Sequence, residues 1–193
     1  MSRDSEGRSA ATREADLPVA GVLLAAGAGS RFGMPKVLAE QGEWLRIAVD
    51  ALNRGGCGDV VVVLGAAVVD LPGRARAVVA GDWEEGLSAS LRAGLAAVDG
   101  AQYVVLHLVD TPDVGSDVVR RVLVAAQAAA SGMARATYGG RPGHPVVVAG
   151  RHVAALAETL HGDEGARTFL AGRDDVLAVE CGDLATGVDV DAR

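Results

Sequence analysis

The residues best suited to chemistry in this chain begin with a glycine-rich stretch, Leu24-Ala25-Ala26-Gly27-Ala28-Gly29-Ser30-Arg31-Phe32-Gly33-Met34-Pro35-Lys36. Small residues let backbone N–H groups approach an anion closely, because no Cβ stands in the way. Arg31 and Lys36 add two cations, and the set suits a triphosphate. Lys36 is the single lysine among 18 basic residues. Far along the chain, Asp110 closes an apolar run and precedes Thr111-Pro112, where proline prevents a strand from continuing. Asp189 and Asp191 alternate, so a strand would put both on one face. Magnesium takes one or two such carboxylates together with phosphate oxygens and water.

Neither of the two common nucleotide loops fits. A dinucleotide fingerprint needs G-x-G-x-x-G, and here the third glycine falls one residue late, at Gly33. The second apolar run ends Leu64-Gly65, without the acidic residue that would bind a ribose. A P-loop needs Gly-Lys-Ser/Thr, whereas Lys36 lies between Pro35 and Val37. A plain glycine-rich turn is the alternative reading of the loop itself.

The elements that must position these groups follow from periodicity. Short apolar runs at Val19–Leu24, Val60–Leu64, Ala77–Val79 and Tyr103–Leu108 read as strands. Helical spacing separates them at Trp44–Asn53, Leu87–Val98 and Val118–Ala130. That alternation predicts an α/β fold with a mostly parallel sheet covered on both faces. The glycine-rich loop then leaves the first strand at the carboxyl edge, where such sheets bind ligands. Later, Met133–Tyr138 and Pro145–Val148 read as strands around a turn over Gly139–His144. His152–Thr159 and Ala166–Ala171 read as helices, and Val176–Glu180 and Val188–Asp191 as short strands. Residues 1–16 are polar, of mixed charge and without periodicity, so a disordered tail is expected before one domain over residues 17–193.

Composition narrows the partners. Net charge is -7, with no Lys/Arg cluster, which argues against nucleic acid. No apolar run approaches the ~18 residues of a membrane span, and no secretory signal pattern opens the chain. Cys57 and Cys181 fit no zinc spacing and read as free thiols in a reducing cytoplasm. His107 falls within a strand run and reads as a core or interface histidine with its hydrogen bonds satisfied.

Several segments in order resemble one family. The loop L-A-A-G-x-G-x-R-x-G-x-P-K resembles the signature of MobA-like nucleotidyltransferases, and the chain is most similar to the molybdenum cofactor cytidylyltransferase branch. Residues 82–95, which include Trp83, Ser88 and Ser90, resemble that branch's W-x-x-G-x-x-x-S-L-x-x-G-L segment. Asp110-Thr111-Pro112 stands where the family has Asp-Met-Pro. Gly140–Pro145 resembles a G-x-x-G-H-P turn, residues 162–167 a G-D-x-G-A-R segment, and Asp189-Val190-Asp191 a terminal D-x-D.

The resemblance implies a three-layer Rossmann-like nucleotidyltransferase fold. It also implies Mg2+-dependent transfer of CMP from CTP to the phosphate of a pterin cofactor, molybdopterin carrying molybdenum. Residues Leu24, Ala25, Ala26, Gly27, Gly29, Arg31 and Lys36 would bind the nucleotide. Asp110 would hold the metal with Asp191, or with Asp189 as fallback. Ser88 and Ser90 would either meet the nucleotide or cap a helix. Trp83, Pro112 and His144 would line the acceptor pocket, although Trp83 serves packing equally well and His144 could simply bond backbone. Alternatives are a related transferase using GTP or another acceptor (a sugar phosphate or phospholactate), and a noncatalytic nucleotide- or pterin-binding protein serving a molybdoenzyme. If the loop binds triphosphate, Lys36→Ala weakens CTP binding by titration more than Arg74→Ala does. Equal effects would reduce the loop to a turn.

Overall fold

The structure, a computed structural model, describes residues 18–190. The tail expected over residues 1–16 lies outside them, as does Asp191. Seven strands form one sheet in the order β3-β2-β1-β4-β6-β5-β7. They are β1 (Val19–Leu24), β2 (Asp59–Leu64), β3 (Arg76–Val79), β4 (Tyr103–Leu108), β5 (Met133–Tyr138), β6 (Arg141–Ala149) and β7 (Leu177–Glu180). β6 runs antiparallel to β4 and β5, and every other pairing is parallel. The apolar character of β1 and of Val60–Leu64 in β2 follows from their place. Central parallel strands are covered on both faces, so neither face can be polar.

Alternation along these strands feeds two cores. Leu23, Val62 and Val105 face α1 (Glu43–Gly55) and α3 (Ser116–Ala128). Val22, Val63 and Val104 face α2 (Leu87–Ala97), α4 (Val153–Glu158) and α5 (Arg167–Leu170). The result is the three-layer α/β sandwich that the sequence predicts. In α1 the buried stripe is Trp44, Leu45, Ala48, Val49 and Leu52, a helical period. Leu23, Leu52 and Leu64 are wholly buried, each contributing about 1.5–3 kcal/mol.

Two expected elements differ. The turn over Gly139–His144 is narrower, because β6 starts at Arg141 and leaves Gly139-Gly140 as the tip. Val188–Asp191 is not a strand over its described residues. Val190 donates its N–H to the Asp110 carbonyl at 2.9 Å instead of joining a ladder. Cys57 and Cys181 are free and buried, and burial pushes the Cys57 thiol up to about 12. Among the described residues, no helix is long and apolar enough to cross a membrane.

One carboxylate ties the far edge of the sheet together. Glu180, at the end of β7, accepts N–H bonds from Gly139, Gly140 and Gly182 and a hydroxyl bond from Thr137. The Gly139, Gly140 and Gly182 bonds, in that order, bring its pKa down to about 2 from an ordinary 4.5. A lowered folded pKa stabilises above the unfolded value and is lost as pH falls through the folded one. The stability gap between the native protein and Glu180→Gln is therefore greatest near neutrality. It shrinks between about pH 4.5 and pH 2, as read from urea midpoints at several pH values.

Candidate active site

The pairing of β1 with β4 sets Leu24 opposite Leu108, so the loops that follow leave the sheet side by side. The chain turns one way from β1 to β2 and returns on the other side as β4. Open α/β sheets bind ligands at this kind of switch point. A cleft of about 670 Å³ lies there, lined by residues 24–32 and Lys36, residues 108–110, residues 83–87, Ser90 and Asp163.

The glycine-rich loop is a defined turn. Gly29 has φ +62°, and a Cβ there would lie 1.9 Å from the Met34 carbonyl oxygen. Gly33 donates its N–H to the Gly29 carbonyl at 2.8 Å, closing the loop. Phe32 anchors it, buried against Trp44 with ring centroids 5.3 Å apart. Arg31, next to that anchor, is exposed on the cleft wall. Ala25 still belongs to the sheet, since its N–H reaches the Val63 carbonyl at 3.0 Å. Loop amides able to meet a phosphate therefore lie beyond it.

Lys36 and Asp110, far apart in sequence, meet directly. The ammonium Nζ is 2.7 Å from Asp110 Oδ2, with side chains only 16% and 18% exposed. The second carboxylate oxygen, Oδ1, is buried and has no hydrogen-bond partner. An orphaned anionic oxygen at the rim of a phosphate-sized cleft suits a hard cation. The segment bearing Asp189 is fastened beside it. Asp113 Oδ2 accepts from the Thr186 N–H and hydroxyl, each at 2.6 Å, and from the Gly187 N–H at 3.3 Å. Asp189 itself is exposed.

Another part of the lining is acidic. Glu84 and Glu85 lie in a 3-10 turn, Trp83–Glu85, that leads into α2. Asp163 reaches across from a distant loop, and its Oδ1 accepts the Leu87 N–H at 2.9 Å. Gly86 permits this close approach. Its φ is +116°, and a Cβ would fall 2.7 Å from the Gly162 carbonyl oxygen. Ser88 belongs to the same strap. Its hydroxyl donates to the His161 carbonyl and accepts from the Gly165 N–H. At 1% exposure it lies outside the cleft. Ser90 and Trp83 line the cleft; Pro112 and His144 do not. Thr111, where the resembled family has Met, is buried and donates its hydroxyl to the Leu108 carbonyl at 3.2 Å, so it closes a turn.

The histidines depart from expectation. His107 is wholly buried in β4, yet neither ring nitrogen has a partner, contrary to the satisfied core histidine expected. Burial brings its pKa down to about 4 and keeps it neutral. His144, on β6, is held down to about 3 by desolvation and then by His107 and Arg135. Asp113, Glu84 and Glu85 were not singled out by sequence reasoning. Their acidic type resembles ordinary turn chemistry, and only the fold shows what they face.

An open, mainly parallel sheet with a glycine-rich loop and an acidic strand end at its switch point is a nucleotide-binding scaffold. The chain belongs to the MobA-like NTP transferase domain family, whose profile matches residues 21–176. It is 38% identical over 195 residues to nicotine blue oxidoreductase of Paenarthrobacter nicotinovorans, covering 92% of this chain and 95% of that one. Over 100 residues, it is 39% identical to 2-C-methyl-D-erythritol 4-phosphate cytidylyltransferase of Rhodococcus opacus, covering 47% of this chain and 43% of that enzyme. Among solved structures, Rv0371c of Mycobacterium tuberculosis matches with TM-score 0.72 and 31% identity over 91% of this chain and 93% of that one. A further structure of that protein is a manganese complex.

The Asp163 contact yields a test. Asp163→Ala leaves the first α2 amide uncapped and lowers stability by about 1 kcal/mol in urea unfolding, the usual cost of a lost cap. Asp163→Asn, which keeps an accepting oxygen, recovers most of that.

Proposed function

We propose that the protein transfers CMP from CTP to the terminal phosphate of the molybdenum cofactor, with Mg2+ as the metal and pyrophosphate as the second product. The observation that carries nucleotidyl transfer is the Lys36–Asp110 pair at the mouth of the glycine-rich loop. CTP is supported by the Ala-Ala-Gly form of the loop and by the similarity to a cytidylyltransferase. The pterin acceptor rests on the resemblance of the later motifs to the cofactor branch. The manganese complex of the mycobacterial relative supports a divalent metal.

In the proposed reaction a phosphate oxygen of the acceptor attacks the α-phosphorus of CTP. A new P–O bond forms as the bond to the β,γ-diphosphate breaks, and pyrophosphate leaves with that electron pair. The nucleophile is already an anion, so the chain supplies position and charge rather than a strong general base. Loop amides, Arg31 and Lys36 hold the triphosphate and offset its charge. Asp110, with Asp189 or Asp191, would hold the cation, which neutralises phosphate oxygens when bound. Ser90 and Trp83 line the same cleft as the loop. Asp163 keeps that lining in place through the Leu87 amide.

A second reading follows from the extent of the Paenarthrobacter match. An oxidoreductase on this scaffold could hold the pyrophosphate of a nicotinamide dinucleotide in the same loop. Its electrons would come from that cofactor, because Cys57 and Cys181 are separate buried thiols. One assay separates the readings. The purified protein is given each NTP with isolated cofactor and Mg2+, scored by pyrophosphate release. In parallel it is given NADH or NADPH with a quinone acceptor, scored by loss of the reduced nucleotide. The proposed function predicts CTP-selective pyrophosphate release, lowered at least 100-fold in Asp110→Ala. Release with every NTP except CTP contradicts the cytidylyl assignment, and nicotinamide oxidation without pyrophosphate release favours the second reading.

A further inference from the structure

The geometry points to Lys36 as an internal counter-ion that occupies the Asp110 carboxylate and keeps divalent cations off it until a triphosphate draws the ammonium away. The inference rests on the nucleotidyl-transfer reading above and adds a coupling between the two ligands of that site.

Three observations carry it. First, Lys36 Nζ lies 2.7 Å from Asp110 Oδ2, a direct charge-assisted bond in a partly dehydrated place. A cation approaching this carboxylate would face both a blocked oxygen and a positive charge beside it. Second, Asp110 Oδ1 is buried and without a partner. Lysine therefore satisfies half of the carboxylate, and the group stays short of a partner that a hard cation arriving with phosphate supplies. Third, the other cation of the loop, Arg31, is exposed on the cleft wall. It can meet a triphosphate before Lys36 moves.

The exchange follows from charge. A nucleoside triphosphate brings several negative charges within reach of a flexible four-carbon stem, against the single charge of Asp110. Once the ammonium turns to the phosphates, Asp110 Oδ2 is released to a cation, and the phosphates offer further oxygens to the same cation. Nucleotide and metal therefore strengthen one another's binding, and the coupling is reciprocal. Metal alone binds poorly by design of the resting pair.

The test uses Mn2+ alone, without nucleotide, titrated into the full chain and followed by electron paramagnetic resonance. Lys36→Gln removes the competing charge and binds Mn2+ at least fivefold more tightly than the native protein. Lys36→Arg keeps the charge and stays within twofold of native. Adding Asp110→Asn to Lys36→Gln abolishes the gain. Lys36→Met, which keeps most of the aliphatic stem, replaces Lys36→Gln if that variant does not fold. Equal or weaker Mn2+ binding in Lys36→Gln, no detectable binding to it, the same gain in Lys36→Arg, or a gain that survives Asp110→Asn each overturns the inference. The readout needs no turnover. A failed titration with intact pyrophosphate release removes the coupling alone, and absent pyrophosphate release removes the proposed reaction.

Discussion

The site depends on the parallel pairing of β1 with β4. That register, Leu24 against Leu108, is held by two strands too apolar to lie anywhere but mid-sheet. It forces the glycine-rich loop and the Asp110 turn out of the same edge. From there the Lys36–Asp110 bond follows, although 74 positions separate the two residues. An exposed ion pair would contribute ~0–1 kcal/mol and prove little. This one lies in a partly covered crevice beside an orphaned oxygen. Under the proposed function, its importance is for what the cleft receives more than for what it adds to stability.

Around that edge, three carboxylates do related work on backbone amides. Asp163 takes the first amide of α2, Asp113 takes the amides of Thr186 and Gly187, and Glu180 gathers three glycine amides. Each fastens a segment distant in sequence, and each substitutes a side-chain acceptor for a strand or helix bond that is not there. Asp163 fastens the start of α2 in the cleft lining, and Asp113 fastens the segment that leads to Asp189. The cleft is thus built by polar straps on top of an apolar sheet. Its lining combines the cationic loop with Glu84, Glu85 and Asp163.

Much of the sheet was legible in the sequence because its strands are short, pure and buried. Val19–Leu24, Tyr103–Leu108 and Met133–Tyr138 end where the apolar runs end. The loop was legible because its glycines and cations are contiguous. Polar contacts between distant segments were not. Ser88 looks like a helix-start serine free to meet a ligand, and only the fold shows its hydroxyl tied to the His161–Gly165 loop. His107 looks like a satisfied core histidine, yet neither ring nitrogen finds a partner in the fold. Val188–Asp191 alternates like a strand, but the Asp110 carbonyl captures its amide first. In each case the deciding partner comes from elsewhere in the chain, beyond any local window.

Because Lys36 is the only lysine, its side chain can be watched alone. Protein labelled with 15N at lysine Nζ gives one side-chain ammonium signal. With a nonhydrolysable CTP analogue and Mg2+, that signal shifts from its resting position as the ammonium leaves Asp110 for phosphate. In Asp110→Asn, the resting position is already displaced. An unchanged Nζ signal at saturating bound nucleotide would contradict the account, because the cation at its centre would then play no part in receiving the triphosphate.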